Sequence, residues 1–320
     1  MTLLKIENLN VFFNLQSGRF QALHDVFLEL DEGKILALVG ESGSGKSMTA
    51  MSILNLLPNT AQIDSGKIFY KGENLLDFSP KQMQKIRGKE IALIPQDPMT
   101  SLNPLYTIGN QLLEVINLHK GLYGKDAEKY AIEALDAVKM PDAKERLNAY
   151  PHQLSGGMRQ RVAIAAALAC DAKIIIADEP TTALDVTVQA QIISLLNEIK
   201  NNFGTSVILI SHDLALVCEN ADDTAVMYAG SVVEYCHGKD LFFNPKHPYT
   251  QALIASLPNV NNENLKTITG MPPSIRDNFV GCPFALRCDK KFDECEKIKP
   301  TLKQISENTA VSCLLYENSL

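Results

Sequence analysis

Eight residues, Gly40-Glu41-Ser42-Gly43-Ser44-Gly45-Lys46-Ser47, constrain this chain more than any other stretch. They fit the pattern G-x-x-x-x-G-K-[ST]. They stand between an apolar run, Ile35 to Val39, that reads as a buried strand and a segment, Met48 to Leu57, that reads as a helix. Strand, loop and helix in that order are the context this pattern needs in order to carry phosphate. The glycines let the backbone turn tightly enough for its N–H groups to surround a phosphate chain, and the helix N-terminus adds its positive end. Lys46 is placed to reach the β- and γ-phosphates and the Ser47 hydroxyl to coordinate Mg²⁺, with Met48 opening the helix beneath them. The expectation is a nucleotide site lined by residues 40–48.

Other apolar runs end on chemistry. Ile91 to Ile94 reads as a short strand that stops at Gln96, between Pro95 and Pro98. Lys173 to Ala177 reads as a buried strand ending in Asp178 and Glu179. In a phosphate-loop protein an Asp at such a position holds Mg²⁺, usually through water, and a second carboxylate beside it can orient or deprotonate the attacking water. Ser206 to Ser211 reads as a further strand that delivers His212 to the same sheet edge. In doubly wound sheets ligands bind beyond the carboxyl ends of the strands. Residues 3–13 alternate and suggest an edge strand ended by Phe12-Phe13, with a second strand over 22–30. Either phenylalanine could stack on a base or simply fill the core. Ser65 to Gly72 reads as a hairpin strand.

From Ile108 to Ala149 the period changes to that of helices, with Leu112, Leu113 and Ile116 on one stripe and Ala131, Leu135 and Val138 on another. The insertion ends at Leu154-Ser155-Gly156-Gly157-Met158. Ser155 is a good N-cap for a helix to Cys170. Two glycines directly after it cost up to about 1 kcal/mol each against alanine. They make sense where something approaches the backbone closely, and a phosphate at a helix start is the obvious candidate. Thr182-Ala183-Leu184-Asp185 follows the carboxylate pair and precedes an amphipathic helix over 188–200.

The chain has 320 residues, enough for one large domain and a smaller one. Its 46% hydrophobic and 21% charged content is that of a globular protein, and a net charge of −7 leaves no global basic footprint for nucleic acid. The apolar run Val162 to Cys170 is far too short to cross a bilayer. The first residues lack an export segment, so a cytoplasmic location is expected, with membrane association through partners. The seven cysteines are then expected to be reduced.

Taken in order, these motifs resemble the nucleotide-binding subunit of an ATP-binding cassette (ABC) transporter over about residues 3–240. Gly40–Ser47 matches the Walker A loop, Gln96 the Q-loop and Leu154–Met158 the signature motif. Ile174–Asp178 with Glu179 matches Walker B and the catalytic glutamate, Ala183–Asp185 the D-loop and His212 the switch histidine. The A-loop position, often tyrosine, would be Phe13 (or Phe12), which keeps a stacking face and loses the hydroxyl. The resemblance implies an α/β fold: a RecA-like P-loop core with an antiparallel β-subdomain and a helical subdomain at about 98–158, together spanning 1–237. It implies ATP and Mg²⁺ as ligands, the metal being met by Ser47, Gln96 and Asp178. Lys46, Gln96, Glu179 and His212 would be catalytic. Two cassettes would pair head-to-tail, so that Ser155, Gly156 and Gly157 of one, with Asp185 nearby, complete the ATP site of the other.

Residues 238–320 exceed what a minimal cassette needs. Phe243 to Leu253 and Gly270-Met271-Pro272-Pro273 resemble the C-terminal extension of oligopeptide, dipeptide and nickel importer ATPases. That implies two permease subunits, a sister ATPase in a heterodimer and, indirectly, an extracytoplasmic solute-binding protein, at the cytoplasmic face of the membrane. The extension holds Cys282, Cys288, Cys295 and Cys313, spaced C-x5-C-x6-C-x17-C. Four thiolates can hold zinc or an iron–sulfur cluster. The absence of C-x2-C pairs and a cluster in some members of the subgroup favour [4Fe–4S] over Zn²⁺, against the alternative of thiols packing as small apolar groups. Two rival readings are a soluble cassette ATPase of translation or repair and a sensing module dominated by the cysteine tail. One Walker A, one signature and an intact Glu179 and His212 stand against them.

Overall fold

Alternation builds the first sheet. Strand β1 (Thr2–Leu15) turns Leu4, Ile6, Leu9 and Val11 inward. It pairs antiparallel with β2 (Gly18–Asp31) on one side and β4 (Ala61–Tyr70) on the other, and β5 (Glu73–Asn74) extends β4. The order is β2-β1-β4-β5. β1 is therefore an inner strand and not the edge expected from its sequence. Its second partner sets Tyr70 opposite Leu4, a pairing too distant along the chain for local alternation to announce. Both β1 and β2 also run further than the sequence suggests, because Phe13 and Phe20 continue the hairpin to its turn. The strand β3 (Ile35–Val39), buried at every residue, then enters the glycine loop and the helix Lys46–Ile53. The computed structural model describes residues 1–97, 101–182, 184–257, 268–277 and 279–317. It divides into two units, Met1–Asp77 with Ser211–Leu320, and Phe78–Ile210.

The unit Phe78–Ile210 combines a parallel sheet with helices. β6 (Ile91–Ile94) lies beside β7 (Ile174–Asp178), and β7 beside β8 (Ser206–Ser211), all parallel. Every residue of β7 and β8 is buried, and their runs Ile174–Ala177 and Val207–Ile210 are apolar without alternation. The helical stretch resolves into Ile108–Lys120, Gly124–Ala137 and Ala143–Arg146. Thr107 caps the first through the N–H of Asn110, and Gly121 ends it in the left-handed conformation. Of the first expected stripe, Leu112 and Ile116 are buried and Leu113 is half-buried; Ala131, Leu135 and Val138, on and just after the next helix, are all buried. The helices Gly156–Ala169 and Val186–Phe203 complete the unit, and the second starts earlier and ends later than its sequence period suggests. Pro98 and Ala183, on which parts of the Q-loop and D-loop readings fall, lie outside the described residues.

The other unit resumes with β9 (Asp223–Tyr228), parallel to β3, and β10 (Ser231–His237), antiparallel to β9. The tail continues this mixed sheet. β12 (Thr309–Val311) pairs with β10, and β11 (Lys303–Ser306) with β12. Glu234 of β10 is fully buried and accepts the N–H groups of Lys246 (2.7 Å) and His247 (2.8 Å). Burial raises its carboxyl above the usual range, and these donors oppose that rise. His247 in turn caps the helix Pro248–Ala255, accepting from the N–H of Tyr249. The ring of Tyr249 packs 4.6 Å from Tyr228 and 5.4 Å from Phe284 between centroids, so tail and core share one aromatic cluster. Among the described residues no helix is long and apolar enough to cross a membrane.

Candidate nucleotide site

The glycine loop is shaped by backbone that only glycine adopts freely. Gly40, Gly43 and Gly45 have φ of 149°, 78° and 106°. At Gly40 a Cβ would lie 2.2 Å from the Met227 carbonyl oxygen, and at Gly45 it would lie 2.7 Å from a Leu23 methyl. Lys46 is 4% exposed and folds back over its own loop. Its Nζ donates to Gly40 O at 2.8 Å, Glu41 O at 3.0 Å and the Ser44 hydroxyl at 3.4 Å. The ammonium is thus held among carbonyl oxygens at the mouth of the loop, where a phosphate chain can take their place. Ser42 and Gly43 are exposed, while Ser47 and Met48 at the head of the helix are half-buried. Phe12 lies under the Arg19 guanidinium, 4.0 Å from its ring centroid, which leaves half-buried Phe13 as the aromatic not engaged by that cation. His212, one residue after β8 ends, belongs to the same unit as the loop and is exposed.

In the unit Phe78–Ile210 the structure brings Gln96 and Glu179 together. Glu179 Oε2 accepts from Gln96 Nε2 at 2.8 Å and from the Thr182 hydroxyl at 3.0 Å, and the Glu179 N–H donates to Ile210 O at 3.0 Å. Its φ is +46°, a left-handed conformation that costs a non-glycine residue about 1–3 kcal/mol and that surrounding structure must impose. Asp178, one residue earlier, is a buried carboxylate at the end of β7. The sequence motifs include Thr182 in the run before Asp185 but assign it no role. Its spacing from Glu179, one helical turn on in a loop, is the signal that could have found it.

Ser155 caps the helix Gly156–Ala169 as expected, its hydroxyl accepting from Met158 N. Ser155 and Gly156 are exposed. The close approach that the glycines permit is of another kind than expected. A Cβ on Gly157 would fall 2.7 Å from a Val188 methyl, and one on Gly156 would fall 3.1 Å from a Leu184 methyl. The pair thus clears room for the segment after Glu179 whether or not a phosphate arrives. Asp185 belongs to that segment and caps the helix Val186–Phe203, accepting from Val188 N at 2.9 Å.

The tail cysteines converge. Cys282, Cys288, Cys295 and Cys313 all line one cavity of about 20 Å³, with His247 and Phe284 in its wall. Cys295 shares a small core with Ala285 and Leu314, against which Cys282 packs. Burial pushes the Cys282 thiol up to about 11 and raises those of Cys288 and Cys313. Convergence is not coordination, however. Among the described residues no three His, Cys, Asp or Glu side chains are arranged to hold a metal ion. The cavity has room for about one water. A soft-metal donor set is thus present, but its sulfurs close on a space smaller than a [4Fe–4S] cluster. Cys170 and Cys236 are buried and Cys218 half-buried, away from this cavity's lining.

Residues 23–182 match the family model described as ABC transporter, and residues 233–295 match that described as oligopeptide/dipeptide transporter, C-terminal region. The dipeptide transport ATP-binding protein DppD of Bacillus subtilis is 47% identical over 98% of this chain and 95% of its own. This chain belongs to the ABC transporter ATP-binding family. The oligopeptide transport ATP-binding protein OppD of Haemophilus influenzae is 46% identical over 98% of this chain and 97% of its own. Among solved structures, the dimeric post-hydrolysis state of the cassette MJ0796 with ADP and phosphate superposes with a TM-score of 0.64. It is 30% identical and covers 72% of this chain and 96% of that one. The P-loop ATPase fold is therefore that of the ABC family, and the chain is an ABC-type ATPase. ATP and Mg²⁺ are the ligands typical of that family. The loop geometry suits the first, and the Ser47 hydroxyl in the one unit and the Asp178 carboxylate in the other are each hard oxygen donors of the kind the second takes.

Proposed function

We propose that this chain is the ATP-hydrolysing subunit of an importer of dipeptides or oligopeptides. In this reading it sits at the cytoplasmic face of the membrane on two permease subunits, beside a sister ATPase, with an extracytoplasmic binding protein delivering the solute. The observation that carries it is the extent of the similarity. Relatives named for dipeptide and oligopeptide transport match the chain from end to end, tail included.

In the catalytic cycle we assign, Lys46 leaves Gly40 O and Glu41 O for the β- and γ-phosphates, and N–H groups of the loop beyond Glu41 surround them. Phe13 offers its face to the adenine. Ser47, Gln96 and Asp178 would hold Mg²⁺, which would supply charge neutralisation on the phosphates. Glu179 polarises the attacking water. Its carboxylate is already fixed by Gln96 and Thr182, so little reorganisation remains when the water arrives. His212 holds the γ-phosphate and water in line. Ser155, Gly156 and Gly157 of one subunit, supported by Asp185, close over ATP bound to the other. Glu179→Gln is expected to bind ATP, dimerise and lose turnover by about 10²–10⁴-fold. Phosphate release near wild type would remove Glu179 from this role. For the solute, loss of this chain is expected to abolish uptake of a labelled dipeptide by cells. Intact peptide uptake with loss of nickel uptake would reassign the cargo to nickel.

We also assign the four tail cysteines to a thiolate-held centre, [4Fe–4S] before Zn²⁺. Their meeting at one cavity supports it, and loading would require the sulfurs to spread. Iron, sulfide and zinc analysis of anaerobically purified protein tests this. Absence of all three would leave the cysteines as core thiols.

A further inference from the structure

The phosphate loop is held from outside by the tail. Glu41, the loop's second residue, is gripped at both backbone and side chain by residues more than two hundred positions away. Its N–H donates to the Tyr249 hydroxyl at 2.9 Å. Its carboxylate meets the Arg287 guanidinium in a two-pronged pair, Nη1 to Oε2 at 2.6 Å and Nη2 to Oε1 at 2.9 Å. The Arg287 side chain is 6% exposed and Glu41's is 25%, so this is no solvated surface pair. Arg287 is itself fixed on two further sides, donating from Nη1 to the Tyr228 hydroxyl at 3.2 Å and from Nε to Thr269 O at 3.1 Å. A planar fork met by a carboxylate sets orientation as well as distance.

We propose that Arg287 and Tyr249 are positioning residues of the phosphate loop, so that the affinity for ATP is set in part by the tail. The physical reason lies in what Lys46 does. In this structure its ammonium ties down Gly40 O and Glu41 O. Phosphate draws that ammonium away, and the first two loop residues then lose an internal restraint that both share. The external restraints on Glu41, from Tyr249 and Arg287, act on atoms that ligand does not need. They keep the loop in its phosphate-ready shape when Lys46 is otherwise engaged. Arg287 closes a one-turn helix (Ala285–Arg287) whose start is tied to Cys282 by the Ala285 N–H and whose next residue is Cys288. The cysteine-lined segment is therefore the platform on which the guanidinium stands.

The test is ATP binding to the full chain by titration calorimetry, with steady-state kinetics alongside. Neither permease nor transport is needed for the binding measurement, so its failure is separable from failure of the importer assignment. Arg287→Met and Glu41→Gln are each expected to weaken ATP binding about tenfold, the size of one charge-assisted contact. The double variant is expected to be no worse than either single, because both remove the same pair. Arg287→Lys should fall between, since an ammonium cannot replace the fork. Tyr249→Phe keeps the ring cluster and removes only the acceptor for the Glu41 N–H. It should also raise the KM for ATP while kcat stays within about twofold. Glu41→Gln is nearly isosteric and keeps the protein testable if Arg287→Met fails to fold. Wild-type ATP affinity in Glu41→Gln and Tyr249→Phe would overturn the proposal, as would a fall confined to kcat or an additive double variant.

Discussion

Two helices in this molecule begin at glycine-rich starts, and the glycines are there for different reasons. At Gly40–Ser47 the backbone itself is left-handed or extended beyond what other residues adopt, and the clash awaiting a side chain at Gly40 is with a main-chain carbonyl. At Ser155–Gly157 the φ values are ordinary, and what a Cβ would meet is the methyl of a leucine or a valine. One loop owes its shape to glycine. The other owes its clearance to it. Methyls can move and main chain cannot, so the two sites should tolerate substitution very differently.

Gly40→Ala should be the most damaging change. It combines an unfavourable φ with a main-chain overlap, and a loss of about 3 kcal/mol or more is expected in urea unfolding, together with loss of ATP binding. A stable, ATP-binding Gly40→Ala protein would dissolve the contrast. Gly157→Ala should cost about 1–2 kcal/mol by overpacking against Val188, and adding Val188→Ala should restore most of it. Without that rescue the clearance explanation fails. Ser155→Ala should cost about 1 kcal/mol through the lost cap, read as a lower thermal midpoint. Gly156→Ala sharpens the comparison most, although its effect on stability is smallest, within about 0.5 kcal/mol. Its new methyl would stand at the exposed helix start, so ATP turnover should fall while the unfolding curve hardly moves. Unchanged turnover would mean that no phosphate comes that close.

Much of this was legible because it is local. The buried run Ile35–Val39, the glycine loop and the Ser155 cap each carry their physics within a few residues. So does β7, whose apolar run ends on Asp178 and Glu179. What was not legible is what the chain does at long range. The two-sided pairing of β1 depends on β4, and nothing in residues 3–13 declares it. The left-handed backbone of Glu179 cannot be read from a glutamate. Arg287 stood inside Gly281–Cys288, a run noticed for its cysteines, and its contact with Glu41 spans 246 positions. Gly156 and Gly157 announced a close approach without saying by what, because a helix start free of side chains serves a phosphate and a packed valine alike.

The parallel pairing of β3 with β9 bears on how the protein is made. The unit Phe78–Ile210 is a continuous stretch, and a nascent chain can complete it as it emerges. The other unit cannot follow that course. Ile35–Val39 leaves the ribosome early and waits for Asp223–Tyr228, and Glu41 waits longer still for its arginine. A translating polypeptide therefore carries its glycine loop unfinished for most of its synthesis. The two partners that complete the loop's surroundings, Asp223–Tyr228 and then Arg287, are the last of its contacts to be made.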